Sequence, residues 1–210
     1  MKVLIGVPYV GHAENSTKLV TLNRVLSLPD TATASGTCGN LTHQSLKLSW
    51  VEANTSVSIE FGFSQNKTGF TLSSVNVSIP ATADVFHNIV GNQTVFTLVN
   101  HNTSLPHIPV AQSFKCYSGV PLTLVDVTPA HQNVTLPLAT FNLTHFQFEA
   151  FTHTSHNAFG AAVECAGDAY ITPDIVPIAV GVALAALVAV VLVAYVIGRR
   201  RSNASGYLSM

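Results

Sequence analysis

Polar and apolar positions alternate in short runs along most of the chain: SLKLSW (45–50), VSIEFGF (57–63), FTL then VNVSI (70–79), TVFTLV (94–99), PLTLVDV (121–127) and HFQFEAF (145–151). A period of two places successive side chains on opposite faces of an extended strand. Stretches such as SQNKTG, GNQT and NHNTSLP separate the runs as turns. The pattern predicts an all-β domain of half-buried strands. In VNVSI, Val75, Val77 and Ile79 share one face, and Asn76 and Ser78 the other.

Alternation stops near residue 173. Residues 175–198 form 24 positions without a charge, followed by Arg199, Arg200 and Arg201. As a helix they cover ~36 Å, enough to cross a ~30 Å hydrocarbon core. Pro173 and Pro177 mark the start of a span over 173–198, and Tyr195 sits where an interfacial aromatic anchors. Three arginines on one side and Asp174 on the other orient the helix by the positive-inside rule. The tail, 199–210, is expected to be cytosolic, and everything before residue 174 lumenal or extracellular. Gly181, Ala185 and Ala189 recur every four residues, which in so alanine-rich a segment reads as composition and leaves self-association open. Residues 1–13 carry one Lys, an apolar run broken by Pro8, and GHA before Glu14. They are expected to be a poor or truncated signal-like segment, leaving 14–172 as the lumenal domain.

Composition sharpens this picture. Charged residues make up 9% of the chain, far below the ~25% of soluble proteins, which excludes a nucleic-acid binder and leaves solubility to something else. Nine of the 13 Asn before residue 175 begin Asn-x-Ser/Thr, where chance gives about three: Asn15, Asn40, Asn54, Asn66, Asn76, Asn92, Asn102, Asn133 and Asn142. Sugar rather than Lys and Glu is therefore expected to cover the surface. Cys116 and Cys165, the nearer pair, are expected to form a disulfide, with Cys38 unpaired. An odd cysteine and a poor signal are together expected of an incomplete N-terminus.

No catalytic motif, cofactor fingerprint or metal-ligand spacing is present, and Glu52, Glu60, Asp84 and Glu149 carry no pattern that pairs them for sugar hydrolysis. A non-enzymatic protein is expected. The nine His all precede the span, so acidification moves that part from −4 toward +5 by simple count. Nine solvated residues without a switch is the favoured reading of that count.

The tail, RRRSNASGYLSM, ends in Gly206-Tyr207-x-x-Met210, a tyrosine with an apolar residue three positions later. Such a peptide can fill two pockets along a sheet edge of an adaptor subunit. From residue 177 to the end, through PIAVGVALAALV, YVIGRRRS and GYLSM, the chain resembles the lysosome-associated membrane glycoproteins, with macrosialin as a relative. ASGTCGN (34–40), QSFKCYSG (112–119) and FQFEAFTHTSHNAFGAAVEC (146–165) extend the resemblance upstream. It implies a β-prism-like sandwich, a single transmembrane α-helix and a short cytosolic tail. It implies two disulfides joining four cysteines consecutively, with Cys38 matching the second, Cys116 and Cys165 the third and fourth, and nothing matching the first. TLNRVLSLPD (21–30) resembles the strand leading to the second cysteine, so the opening strands of the domain are expected to be absent. Gly206, Tyr207 and Met210 match a lysosomal sorting signal read by clathrin adaptor complexes. The implied role is a protective glycan coat and support of lysosome integrity and trafficking, at the lysosomal and late-endosomal membrane with cycling via the plasma membrane. The alternative is a macrosialin-like endocytic receptor.

Overall fold

The computed structural model describes residues 1–14, 16–103, 105–128, 136–152, 158–170 and 175–205. They divide into two compact units, Met1–Asp168 and Ala169–Met210. The first is all-β. Its strands run β1 Lys2–His12, β2 Leu19–Ser27, β3 Thr33–Thr37, β4 His43–Glu52, β5 Thr55–Gln65, β6 Gly69–Pro80 and β7 Val95–Asn100. They continue as β8 Ile108–Pro109, β9 Gln112–Cys116, β10 Val120–Asp126, β11 Ala139–Thr144, β12 Phe146–Phe148 and β13 Ala161–Glu164.

Ten strands pair into one sheet, in the order β2-β1-β11-β10-β7-β6-β5-β4-β3 with β8 beside β6, and β12-β9-β13 form a second. β10 turns the corner of the large sheet. Its first five residues pair with β11, and its last two, Val125 and Asp126, pair with β7. The sheet wraps far enough that Arg24 of β2 reaches Glu52 of β4 at 3.2 Å, although six strands separate them in the sheet. Inside the wrap the alternation does its physical work. Val57, Ile59, Phe61 and Phe63 of β5, Val75, Val77 and Ile79 of β6, and Phe96 and Leu98 of β7 all lose their solvent to a shared core. A run of rings, Phe63–Phe148 at 5.3 Å and Phe114–Phe148 at 5.6 Å, joins the small sheet to the large one.

Three expectations change. Residues 1–13 are not a segment apart from the domain: β1 is an interior strand, flanked by β2 and β11, with Ile5 and Val7 fully buried. Its apolar run reads like a signal segment because a strand buried on one face and crowded on the other also lacks polar residues. Pro8, which breaks the apolar run, falls beyond Gly6, the last residue paired with β11, so its missing N–H removes no bond on that flank. β2 holds most of the TLNRVLSLPD stretch expected to lead toward Cys38, and β1 pairs beside it. The FTL and VNVSI runs are one strand, β6, whose register shifts against β5 at Gly62/Phe63. HFQFEAF, by contrast, yields only the three residues of β12, because His145 and Phe151 take positive φ of 51° and 57° on either side.

The second unit contains α1, Ile175–Ser205. Over 178–200 the described side chains are all exposed and almost all apolar, so this helix has no protein core to enter and suits lipid on every side. Residues 178–200, 23 in number, form the candidate span, ~35 Å long at helical rise. The helix does not stop at residue 198. It carries the first seven residues of the expected tail, Arg199–Ser205, before Gly206. No Gly or Pro interrupts that stretch, so nothing local breaks the backbone ladder.

Candidate functional site

The sequence points to a surface rather than a cleft, and the antiparallel strands decide where its sequons fall. The β4–β5 turn holds Asn54, and the β6–β7 connection at the same end of these strands holds Asn92. At the opposite end lie Asn40 between β3 and β4, Asn66 between β5 and β6, and Asn102 after β7. Asn142 stands on the outer face of β11, between the buried Phe141 and Leu143. These six are exposed. Asn76, on the outer face of β6 as the alternation requires, is only half-buried rather than open. Asn15 and Asn133 lie outside the described residues.

Two of the turns are built around the sequon itself. Asn66 Oδ1 accepts hydrogen bonds from the Thr68 amide at 2.9 Å, the Thr68 hydroxyl at 2.9 Å and the Gly69 amide at 3.2 Å. Asn40 Oδ1 likewise accepts from the Thr42 amide at 2.9 Å, the Thr42 hydroxyl at 3.0 Å and the His43 amide at 2.6 Å. In both, the carbonyl oxygen closes the turn and the amide nitrogen, where a glycan attaches, remains at the exposed tip. Asn54, by contrast, sits at φ 62° beside Ala53 at 45°, the geometry of a two-residue hairpin turn, to which Asn is well suited.

Cys116 and Cys165 form a disulfide, with Cα atoms 5.2 Å apart, and Cys38 is exposed and unpaired. Asp168 completes this corner. Its two carboxylate oxygens accept the backbone N–H groups of Tyr117 at 2.6 Å and Ser118 at 2.7 Å. Burial alone would raise its carboxyl. The Tyr117 and Ser118 amides, the Ser118 hydroxyl and the nearby Lys115 ammonium outweigh it and hold the group below the usual carboxylate range. Gly119, at φ 107°, then swings the chain into β10, with Thr144 Cγ2 only 2.6 Å from where a Cβ would stand. Cys116, Cys165 and Asp168 lie close enough to suggest metal ligands. The sulfurs are bonded to each other and both Asp168 oxygens are taken, so the set acts as a clasp. Nothing in the sequence around Asp168 marks it, because its partners lie some 50 residues away.

The four carboxylates considered for catalysis have separate settings. Glu52 pairs with Arg24, Glu60 stands opposite Lys47 across β5 and β4, Glu149 accepts the Gly160 amide at 2.7 Å, and Asp84 is exposed in a loop. The described His are likewise scattered: His43 and His107 each contact a sequon threonine at 3.0 Å, and His145 meets the Tyr117 ring at 5.8 Å. His131, His153 and His156 lie outside the described residues, as do Gly206, Tyr207 and Met210. Burial raises the Tyr9 phenol, opposed by Arg24, and the phenol donates to the His87 carbonyl at 3.0 Å.

Comparison with known proteins gives these features a family. Residues 3–166 match the luminal domains of the lysosome-associated membrane glycoprotein 2-like family, and 176–207 match the transmembrane segment of lysosome-associated membrane glycoprotein 2. Mouse lysosome-associated membrane glycoprotein 1 is 33% identical over 190 residues, covering 89% of this chain and 40% of that protein. Chicken lysosome-associated membrane glycoprotein 2 is 32% identical over 186 residues, covering 87% and 38%. The chain thus spans about two fifths of the length of these relatives. Among solved structures, the membrane-proximal domain of mouse lysosome-associated membrane protein 1 superposes with a TM-score of 0.56 at 21% identity, covering 80% of this chain and 87% of that one. The membrane-distal domain of mouse lysosome-associated membrane protein 2 gives 0.57 at 19%, covering 79% and 88%. With its β domain, its Cys116–Cys165 bridge and a lipid-suited helix, the chain belongs to the lysosome-associated membrane glycoprotein family.

Proposed function

We propose that this protein is a glycan-bearing component of the lysosomal and late-endosomal membrane whose lumenal domain shields backbone and bilayer from hydrolases. Its tail directs it there, in part via the plasma membrane. The observation that carries the reading is the spread of six exposed sequon asparagines over both strand ends and one sheet face, in a chain with only 9% charged residues. A domain so poor in charge needs another source of solubility, and sugar at these positions supplies it by solvation and excludes proteases by bulk. Gly206, Tyr207 and Met210 are the address, read by clathrin adaptor complexes. Arg199, Arg200 and Arg201 hold the tail on the cytosolic side.

Two measurements test it. Tyr207→Ala in the full chain is expected to shift the protein from lysosomes to the cell surface, and an unchanged distribution refutes the address. Enzymatic removal of sugar is expected to shorten the survival of the domain in a lysosomal protease mixture, and equal survival refutes the coat. The endocytic-receptor reading has one observation in its favour. An open groove beside Cys38, lined by Gln44, Leu46, Phe63 and Phe148, lies between β4 and β12. It calls for a sugar-free face there, which the exposed Asn40 two residues beyond Cys38 opposes.

A further inference from the structure

Asn76 differs from the other described sequons. It stands in the middle of β6, directly opposite Glu60 of β5 and Val99 of β7. The core takes Val75, Val77 and Ile79, so Ser74, Asn76 and Ser78 face outward. The face they join is unusual for a sheet exterior. Its other positions are Ser58 and Gly62 on β5 and Thr97 on β7, all half-buried and small, with Glu60 and Lys47 bearing the charge nearby. Toward β10 the same face turns apolar. Val99 pairs with Val125, and Val125 and Val127 are 51% and 54% exposed.

Within this face the Asn76 side chain is half-covered. Its Oδ1 is shut from solvent and has no hydrogen-bond partner. A buried acceptor left unsatisfied costs about 1–3 kcal/mol and calls for an explanation. Nδ2 of the same amide is the atom that carries sugar in a glycosylated sequon.

We propose that Asn76 carries an N-glycan whose first sugars lie flat on the outer face of β6, β7 and β10, covering Val99, Val125 and Val127. The inference rests on the glycoprotein reading above and assigns one glycan a structural task. Transfer takes place before β6 is built, while the segment is still extended and reachable. Nδ2 bonds to the anomeric carbon of a lipid-diphosphate-linked oligosaccharide, the bond from that carbon to the diphosphate oxygen breaks, and the amide proton passes to a base. On folding, the glycan lands on a surface prepared for it. Strands spaced ~5 Å apart place Val99 ~5 Å and Val125 ~10 Å from Asn76 across the sheet. The small Ser58, Ser74, Ser78 and Thr97 leave room for sugar rings and offer hydroxyls to them. The C–H faces of the rings shield the valines, apolar area that the bare sheet leaves in water. The five described sequons in turns and loops, Asn40, Asn54, Asn66, Asn92 and Asn102, stand at exposed positions off the sheet face, where a glycan extends into solvent.

The test uses the full chain made in a secretory host, treated under native conditions with the amidase that releases N-glycans, and followed site by site by mass spectrometry. The expected result is that Asn76 is occupied and released about tenfold more slowly than Asn92 and Asn142, because release there waits on opening of the face. Ser78→Ala abolishes the sequon while keeping Asn76. It is expected to raise binding of an apolar dye and lower Tm, whereas Thr94→Ala, which silences Asn92, changes neither. Release at Asn76 as fast as at Asn92, or an empty Asn76 beside occupied Asn92 and Asn142, overturns the proposal and leaves the coat standing. Sequons empty at all sites overturn both.

Discussion

The two sheets of the lumenal domain are held by different means. In the large one, β5, β6 and β7 present an unbroken series of apolar side chains inward, and Phe96 packs 4.7 Å from Phe86 with both fully buried. In the small one, β13 reads Ala161-Ala162-Val163-Glu164, and only Val163 is even half-buried. So little apolar area cannot hold a strand by itself. Ties take its place. The disulfide joins Cys116 to Cys165, Asp168 caps two amides, the buried Ser113 hydroxyl donates to the Gly160 carbonyl at 3.0 Å, and Glu149 takes the Gly160 amide. Where a chain cannot bury enough, covalent and charged contacts of high geometric precision do the same task.

Three changes probe that contrast, in falling order of effect. Phe96→Ala opens a cavity at the centre of the large sheet and is expected to cost about 3–5 kcal/mol, with amide exchange faster throughout the domain. Replacing both Cys116 and Cys165 by Ser is expected to cost about 2–5 kcal/mol, with faster exchange first in β9, β12 and β13. Loss of protection everywhere at once would show that the two sheets are one cooperative unit and dissolve the comparison. Asp168→Asn is expected to be the mildest, and its signature is pH. A carboxyl held low in the fold contributes stability above its ordinary value of about 3.9, lost only as pH falls through the lower native one. The difference in Tm between the two proteins should therefore stay constant from pH 7 to about pH 5 and close below about pH 4. A difference that stays the same from pH 7 to below pH 4 would place the carboxyl in the ordinary range.

The same contrast explains what could be read from the sequence. β4, β5, β6, β7 and β10 were legible because each repeats one rule, inward every second residue, over enough positions to stand above chance. α1 was legible for the opposite reason, the absence of any polar position. β13 was not, since its two alanines show no face and its partner β9 pairs with it in parallel from some 50 residues away. β1 was misread because a strand in the interior of a wrapped sheet and the apolar core of a signal segment share one composition. Of the candidate surface, the sequons and their face were visible in the pattern. Their degree of cover was not. Asn76 and Asn142 obey the same alternation, and only the neighbouring strands decide that one is sheltered and the other free.

The clasp at Cys165 and Asp168 also has a mechanical meaning. Asp168 is the last residue of the β unit, and the chain beyond it leads to the membrane-crossing helix. Any pull between bilayer and domain enters through these residues. Without the clasp it would peel β13, a four-residue strand at the rim of the small sheet, one hydrogen bond at a time. With it, the load passes at Cys165 through a covalent bond into β9, the middle strand of that sheet, and from its buried Phe114 into the aromatic core. The tether is fastened to a beam, not to the edge.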